Sequence, residues 1–262
     1  MPPGAGREPR AASPSSRAER GEEGDEEATT SLCSSEMRSC GLSSMSLYLY
    51  AIVDRPPRSP ELLGRGIARK PLALVRAGKA YVVVEPAEAR EATPAAIVAH
   101  DRVVRRIARL APSVLPLRFG ATAVDRVAVK AAIAPLGGML ERAFERVRGA
   151  VQFTLRVDGL RAPAKRAPAG TGPGTRWLAE RRARHEVPEL TAVSEATRPW
   201  VREVRAERHD HGPRIASVYH LVAREDVRAW KRAFARSIMD LPRGVTVTVT
   251  GPWPPWAFAE LA

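Results

Sequence analysis

The sequence predicts an α+β protein with two small domains, each a sheet packed on helices and each ferredoxin-like or a modified form of that fold. Three observations support this prediction. Strand-like and helix-like apolar periods alternate along the chain, hydrophobic residues make up 44% of it, and the same mixture occurs on both sides of Gly149. Strands interspersed with helices, hairpins and short crossovers are typical of this class. We expect an N-terminal domain at 46–149 and a C-terminal domain at 150–262.

The first 45 residues differ from the rest of the chain. They are rich in Pro, Gly, Ser, Glu and Arg and show no apolar period. They cannot bury enough surface to offset the entropy of ordering, so we expect a disordered leader at 1–45. Met45 immediately precedes the first strong strand, and a translation start at Met45 is an equally acceptable interpretation. Cys33 and Cys40 both lie in the leader, so no disulfide framework or thiolate metal site is predicted for the folded part.

The N-terminal half begins with a strand and a hairpin. Residues 47–53, LYLYAIV, are apolar on both faces, as in a central strand that is covered on both sides. The segments 72–76 and 81–85 follow as strands, and Gly78-Lys79 between them is a hairpin turn.

Two helical patterns complete this half. Thr93-Pro94 is an N-cap followed by proline at the first helical position. The face of the first helix contains Ile97, Val104, Ile107 and Ala111. A second pattern runs through Val129, Ile133, Leu136, Leu140, Phe144 and Val147. Pro135 and Gly137-Gly138 are expected to kink or restart it.

The C-terminal half repeats the mixture. Strand-like alternation occurs at 151–157, 216–223 and 245–250. Helical propensity extends over 175–208, interrupted by Pro188 and Pro199, and a helical face returns at 227–238. A Gly-, Pro- and Ala-rich loop is predicted at 159–174.

Two polar sites in the N-terminal half carry alternative interpretations. His100-Asp101 could serve acid–base chemistry, but His100 falls on the apolar helix face, so we favour a buried histidine with a local hydrogen-bond partner. Arg118 is flanked by apolar residues, and a guanidinium there needs a carboxylate or several carbonyls to offset its desolvation. Asp101 or Asp125 could supply it in a buried organising pair. Contact of Arg118 with a partner is the alternative.

Two weaker motifs are interpreted as structural. His209-Asp210-His211 has two candidate metal ligands but no third ligand nearby, so we expect an exposed loop and no metal site. Gly64-Arg65-Gly66 is not followed by the Lys-Ser or Lys-Thr of a phosphate-binding loop. No cofactor is expected.

The most distinctive segment is Gly251-Pro252-Trp253-Pro254-Pro255-Trp256. Its prolines fix an extended backbone and are expected to end sheet pairing after the last strand. Trp253 and Trp256 could clamp the tail against its own domain or present anchors to a partner. We favour docking on the protein itself and keep partner binding as a hypothesis for both rings.

The charge of +13 is distributed unevenly. The leader holds five Arg against eight Asp or Glu, a balance of −3, so the remainder carries +16. Such an excess attracts acidic surfaces and polyanions. Arg181, Arg182 and Arg184 form a dense basic run that is either a solvated helix face or a contact for an acidic partner. Nucleic-acid binding is disfavoured, because such sites interleave basic and aromatic residues and the chain is only 5% aromatic.

Three stretches carry a resemblance to a known family. They are LYLYAIV at 47–53, AHDRVVRRIARLAPSVLPLRFGAT at 99–122 and GVTVTVTGPWPPWAF at 244–258. In this order and at these separations the chain resembles the gas vesicle protein F/L family (GvpF/GvpL) over nearly all of residues 46–262. It departs from the family pattern in having Trp256 in place of a tyrosine and Ala121 in place of a threonine.

The resemblance implies a non-enzymatic accessory or minor structural protein of gas vesicles. Its expected partners are the small amphipathic shell subunit and other vesicle accessory proteins. The N-terminus lacks the apolar core of a secretion signal and no apolar run approaches the ~20 residues that span a bilayer, so we expect a cytoplasmic, vesicle-associated protein. A basic nucleic-acid-binding module on the same scaffold is the alternative, and a hydrolase using His100 and Asp101 is a third hypothesis.

Overall fold

The computed structural model describes residues 46–159, 172–175, 177 and 186–260. The predicted leader at 1–45 and the greater part of the predicted loop at 159–174 lie outside these residues. Two antiparallel sheets with helices packed on them give the α+β class that the sequence predicts. The ferredoxin-like assignment and the division into two domains at Gly149 stay predictions.

Sheet A is formed by β1 (Leu47–Val53), β2 (Ala73–Ala77), β3 (Ala80–Pro86), β4 (Val114–Pro116) and the short β5 (Thr122–Ala123). Its strand order is β2-β3-β1-β4, and β5 also pairs with β1. All pairs are antiparallel. A 3-10 turn at Pro60–Leu63 lies between β1 and the β2–β3 hairpin.

The two faces of β1 belong to different cores, as the apolar pattern of LYLYAIV predicts. Leu47 and Ile52 pack in a core with α2 and α3. Tyr48 and Tyr50 pack in a second core, which α1 covers. Both tyrosine side chains are fully buried. A strand of this kind has no solvent face, and therefore its sequence does not alternate between apolar and polar residues.

Three helices cover sheet A: α1 (Pro94–Leu110), α2 (Arg126–Ile133) and α3 (Gly137–Val147). The predicted cap of α1 is confirmed, since the Thr93 side chain accepts a hydrogen bond from the Ala96 amide at 3.2 Å. A 3-10 turn over 134–136 separates α2 from α3, so the predicted restart at the proline and glycines is also confirmed. The position predicted for Ile97 is wrong, because Ile97 is 46% exposed while His100 lies on the buried face.

Sheet B is formed by β6 (Ala150–Gly159), β7 (Glu203–Arg208), β8 (Arg214–Ala223) and β9 (Val245–Trp253). Its order is β7-β8-β6-β9, with every pair antiparallel. The helices α4 (Thr191–Thr197) and α5 (Val227–Ser237) pack on it.

Two sequence-based boundaries in this half are corrected. β7 lies where helical propensity was predicted to continue to residue 208, because pairing with β8 outweighs the helical propensity of its Arg, Glu and Ala residues. β9 continues through Pro252 to Trp253, which pairs with Gln152 beyond an irregularity in the register. The prolines were expected to end pairing, but Pro252 is at the far end of a strand that, among the described residues, pairs with β6 alone.

The two sheets meet through shared core residues. Leu221 of β8 and Phe258, near the end of the chain, belong to the same buried cluster as Val147 of α3 and Ile52 of β1. Among the residues described, no helix has the length and apolar content needed to cross a bilayer.

We predict that His220 makes the protein less stable in acid. His220 is buried in sheet B, and burial lowers its pKa from 6.5 to about 4. Between these pH values the unfolded chain binds more protons than the folded chain, so the free energy of unfolding falls as the pH falls. We expect this group to remove about 3 kcal/mol between pH 7 and pH 4, measured by urea denaturation at a series of pH values.

The matched variant is His220→Gln, which cannot titrate. It is expected to reduce the pH slope of the unfolding free energy by about one proton, whatever its own stability at pH 7. If the unfolding free energies of the two proteins depend equally on pH, His220 is not the group responsible.

Candidate interaction surface

A buried polar cluster lies beneath the C-terminal tail and is centred on His100. Its Nδ1 is 3.1 Å from the Tyr48 hydroxyl and its Nε2 is 3.1 Å from the Leu117 carbonyl. The Leu117 carbonyl can only accept, so Nε2 carries the proton and Nδ1 accepts from Tyr48. The same hydroxyl accepts a hydrogen bond from the Gly120 amide at 3.0 Å. Burial lowers the pKa of His100, in keeping with a neutral ring.

A second part of the cluster holds a buried carboxylate. Glu85 accepts hydrogen bonds from the Tyr50 hydroxyl at 2.6 Å, from the Ala68 amide at 3.2 Å and from the Lys70 amide at 2.9 Å. Burial and the neighbouring carboxyl raise the pKa of Tyr50, so its hydroxyl keeps its proton. The His100 ring stacks on Tyr50 with centroids 5.3 Å apart.

The weak glycine motif at 64–66 contributes to this arrangement. A side chain at Gly66 would overlap the Glu85 carboxylate and the Tyr50 hydroxyl. The loop therefore binds a carboxylate of the protein itself through backbone amides, and glycine allows that close approach.

His100 and Asp101 are bonded to different partners. Asp101 forms an i,i+4 ion pair with Arg105 on the same helix. The His100 nitrogens are both used by Tyr48 and by the Leu117 carbonyl. With each ring nitrogen bonded inside the protein, the imidazole is a structural group that orders the segment between β4 and β5.

The position of Arg118 differs from the one predicted from the sequence. Its side chain is exposed, whereas Leu117 and Phe119 pack against buried clusters. The predicted buried pair is therefore wrong, since a guanidinium in water needs no carboxylate to offset desolvation. Asp101 pairs with Arg105 instead, and Asp125 caps α2 by accepting a hydrogen bond from the Ala128 amide at 2.7 Å.

The C-terminal tail, residues 251–260, docks across both sheets. Phe258 is fully buried in the core that contains α3 and β1. The Ala257 amide donates to the Gln152 side-chain oxygen of β6 at 2.8 Å. Arg205 of β7 donates to the Ala257 carbonyl at 2.6 Å and contacts the Glu260 carboxylate at 3.1 Å. The tail is held by an apolar anchor and by polar contacts from two strands.

Both tail tryptophans contact the protein itself and are half-buried. The Arg105 guanidinium lies over the Trp253 ring, 3.9 Å from its centroid. The Trp253 indole donates to the Thr250 hydroxyl at 3.1 Å. Trp256 packs on the core of α1, with its ring 6.1 Å from that of His100. Partner binding by the remaining exposed parts of these rings stays a hypothesis.

A groove of about 170 Å³ lies beside Trp253. It is bounded by the C-terminal part of α1, the start of β6 and the tail prolines, and three arginines line it: Arg105, Arg109 and Arg224. None of the described residues in its lining is acidic. The tail therefore closes one side of a basic groove with apolar walls.

Two other predicted sites lie elsewhere. Arg181, Arg182 and Arg184 fall outside the described residues. His209-Asp210-His211 occupies the turn between β7 and β8, where the His209 Nε2 is 3.0 Å from the Ser217 hydroxyl. Within the part of the chain that the structure describes, no three potential ligands of a metal ion cluster together.

Three of the residues that hold the tail were not predicted from the sequence. Gln152 is one of the polar residues in the alternating pattern of β6, yet its side chain is buried, and the alternation gives no signal of that. Arg105 and Arg205 lie among many arginines, and nothing in their spacing distinguishes them. Their partners lie far away along the chain, so only the folded structure identifies them.

Comparisons with known proteins agree with this architecture. The family model for gas vesicle synthesis protein GvpL/GvpF matches residues 46–260. Crystal structures of the gas vesicle protein GvpF from Microcystis aeruginosa and from Anabaena sp. PCC7120 are similar in fold, each with a TM-score of 0.66 and 16% identity. Each similarity covers 83% of this chain, with 100% of the first protein and 97% of the second. A comparison with curated proteins finds no significant match.

We predict that His100→Ala destabilises the protein, because it removes a buried ring and leaves the Tyr48 hydroxyl and the Leu117 carbonyl without their partner. We expect a loss of about 2–4 kcal/mol in the free energy of unfolding, measured by chemical denaturation. Arg102→Ala, at an exposed position of the same helix, should change it by less than about 0.5 kcal/mol. An unfolding free energy for His100→Ala equal to that of the control would remove the structural role.

We also predict that Phe258→Ala loosens the tail. Truncation of a fully buried phenylalanine leaves a cavity in the core shared by both sheets, and we expect a loss of about 3–5 kcal/mol. Val127→Ala, on an exposed side chain, is the control and should cost less than about 0.5 kcal/mol. If both variants unfold at the same denaturant concentration, the tail is not anchored as described.

Proposed function

Because this chain belongs to the gas vesicle synthesis protein GvpL/GvpF family, we propose that it is an accessory or minor structural protein that binds the shell subunit during gas vesicle nucleation and assembly. The observation that carries the proposal is the family match over residues 46–260. The fold shared with the two GvpF crystal structures supports it. On this proposal the protein acts in the cytoplasm and on the vesicle.

A physical problem of vesicle assembly explains the need for such a protein. A shell subunit that presents an apolar face to gas must keep that face from water until it polymerises. At about 25 cal/mol per Å² of apolar surface, uncontrolled burial of such faces drives aggregation. A folded protein that covers the subunit, or fixes its position in the first ring, separates subunit supply from assembly.

The geometry of the polar cluster favours binding over catalysis. His100 and Glu85, two buried ionisable groups of the cluster, form their hydrogen bonds with Tyr48, Tyr50 and backbone groups. A catalytic acid or base needs its reactive atom within hydrogen-bond reach of a substrate. We therefore propose a non-enzymatic role and interpret the cluster as support for the surface above it.

Candidate contacts on this protein include Trp253 and Trp256 and the basic run of Arg181, Arg182 and Arg184. The half-buried tryptophans present amphipathic surface on a fixed backbone, as interface anchors do. The excess of basic residues suits a partner with acidic surface. Other gas vesicle accessory proteins are further candidate partners.

We expect the tagged full-length chain to co-purify with the shell subunit from cells that form gas vesicles. Deletion of its gene should abolish buoyant vesicles, and the intact gene should restore them. The capture is compared with that by an unrelated basic protein of similar charge, because a charge excess alone retains acidic proteins. Absence of shell subunit from the purified material, under conditions where vesicles form, would sink the proposal.

The competing nucleic-acid function is tested in parallel. Binding driven by phosphate contacts falls steeply with salt concentration. A mobility shift with duplex or single-stranded DNA at low salt, absent at physiological salt, indicates only non-specific charge attraction. A sequence-dependent complex that persists at physiological salt, without capture of shell subunit, would favour the alternative.

A further inference from the structure

The groove beside Trp253 combines cations with rigid apolar walls. Its apolar side is formed by Pro252, Pro254 and Pro255 of the tail and by residues such as Val114 and Val151. Proline restricts the backbone before any ligand binds, so little conformational entropy is lost on binding. The groove is a preformed surface.

The three arginines of the groove differ in the contacts that they already form within the protein. Arg105 is paired with Asp101 and lies over the Trp253 ring. Arg224 donates from Nη2 to the Ala108 carbonyl at 2.6 Å, at the C-terminal end of α1. Arg109 is exposed in the last turn of the same helix. Neither Arg109 nor Arg224 forms an ion pair with a carboxylate of the described residues, so the groove holds two uncompensated charges.

A buried donor adds to this imbalance. Arg105 Nε is shielded from solvent and has no hydrogen-bond partner among the described residues. Arg224 is exposed as a residue, but its guanidinium is bonded to the Ala108 carbonyl, and partial burial lowers its pKa. Partly shielded charges interact more strongly with a carboxylate than fully solvated ones do.

The size of the groove limits what it can hold. Sites for drug-sized ligands and cofactors usually measure about 300–1,000 Å³, and this groove measures about 170 Å³. One or two side chains fit this space better than a nucleotide or a cofactor. The apolar walls suit an apolar side chain, and the guanidinium groups suit a carboxylate beside it.

We propose that the groove binds an acidic–apolar segment of a partner protein. A carboxylate of that segment pairs with Arg109 and Arg224, and a neighbouring apolar side chain packs on Trp253 and the tail prolines. The inference rests on the proposed function only for the identity of the partner, since the binding chemistry follows from the groove itself.

Nucleic acid fits the groove less well. Single-stranded nucleic acids are bound by basic channels in which successive bases stack on exposed aromatic faces. Trp253 is the groove's one aromatic residue among those described, and the Arg105 guanidinium already covers a face of its ring. A single apolar side chain needs only part of the Trp253 ring, because the tail prolines supply the rest of its apolar contact surface.

The test uses the full-length, isotope-labelled chain and the synthetic peptide acetyl-Gly-Leu-Glu-Glu-Leu-Gly-amide. The reporter is the NMR signal of the Trp253 indole N–H, assigned with Trp253→Phe. We expect the signal to shift saturably with this peptide and not with the same peptide carrying Gln in place of Glu. Arg109→Gln is expected to weaken binding about fivefold, because it removes one partly exposed charge pair.

The matched control is Arg102→Gln, which removes the same charge from an exposed position of α1 outside the groove. It should leave the dissociation constant within about twofold, the size expected for a distant charge screened by salt. The inference is overturned if neither peptide shifts the signal, if the Gln peptide binds equally well, or if both arginine variants weaken binding alike. A stronger shift with oligo-dT than with the acidic peptide also overturns it, in favour of nucleic acid.

These outcomes separate the inference from the proposed function. Peptide binding at Trp253 without capture of the shell subunit would leave the groove as described and remove the proposed partner. In the opposite case the peptide does not bind, and Arg109→Gln captures the shell subunit as well as the unchanged protein does. That result would keep the proposed function and contradict binding at the groove.

Discussion

The burial of the C-terminal tail across both sheets is the interaction on which the rest of this surface depends. Phe258 fills space between α3 and sheet A. In sheet B, Gln152 accepts a hydrogen bond from the Ala257 amide, and Arg205 donates one to the Ala257 carbonyl. These contacts fix the tail at one end, and the pairing of Trp253 with Gln152 fixes it at the other. Because both ends of this segment are fixed, the residues between them, including Trp256 above His100, are held in place.

The cluster under the tail shows how buried polar groups can support a surface. Each hydrogen bond adds only about 1 kcal/mol, but an unmatched buried partner costs about 1–3 kcal/mol. Buried polar groups therefore favour one backbone conformation chiefly because other conformations leave them without partners. A shift of the segment between β4 and β5 would break the bond of His100 to Leu117 and that of Tyr48 to Gly120. Both nitrogens of the His100 ring are already bonded within the protein, so neither is free to exchange a proton with a substrate.

The sequence predicted the elements whose signals are local. The two-sided apolar pattern of LYLYAIV gave the central strand, and the Thr93 cap and the break at Pro135 gave helix boundaries that the structure confirms. Pairing between distant segments was harder to predict from the sequence. β7 has helical propensity and is a strand because it pairs with β8. Arg118 was misjudged because apolar sequence neighbours do not determine where a side chain points at the end of a strand. The stacking of Arg105 on Trp253 joins residues too far apart for any spacing rule.

The chain shares its fold with the two GvpF structures at only 16% sequence identity. Because a fold alone does not determine which partner is recognised, recognition must depend on local combinations of side chains. The groove beside Trp253 is such a combination, and its walls are made by the same tail that ties the two sheets together. A change that releases the tail thus removes the groove and weakens the core at once, whereas a change at Arg109 alters only the charge. Stability and recognition are coupled through the tail and separable at the rim of the groove.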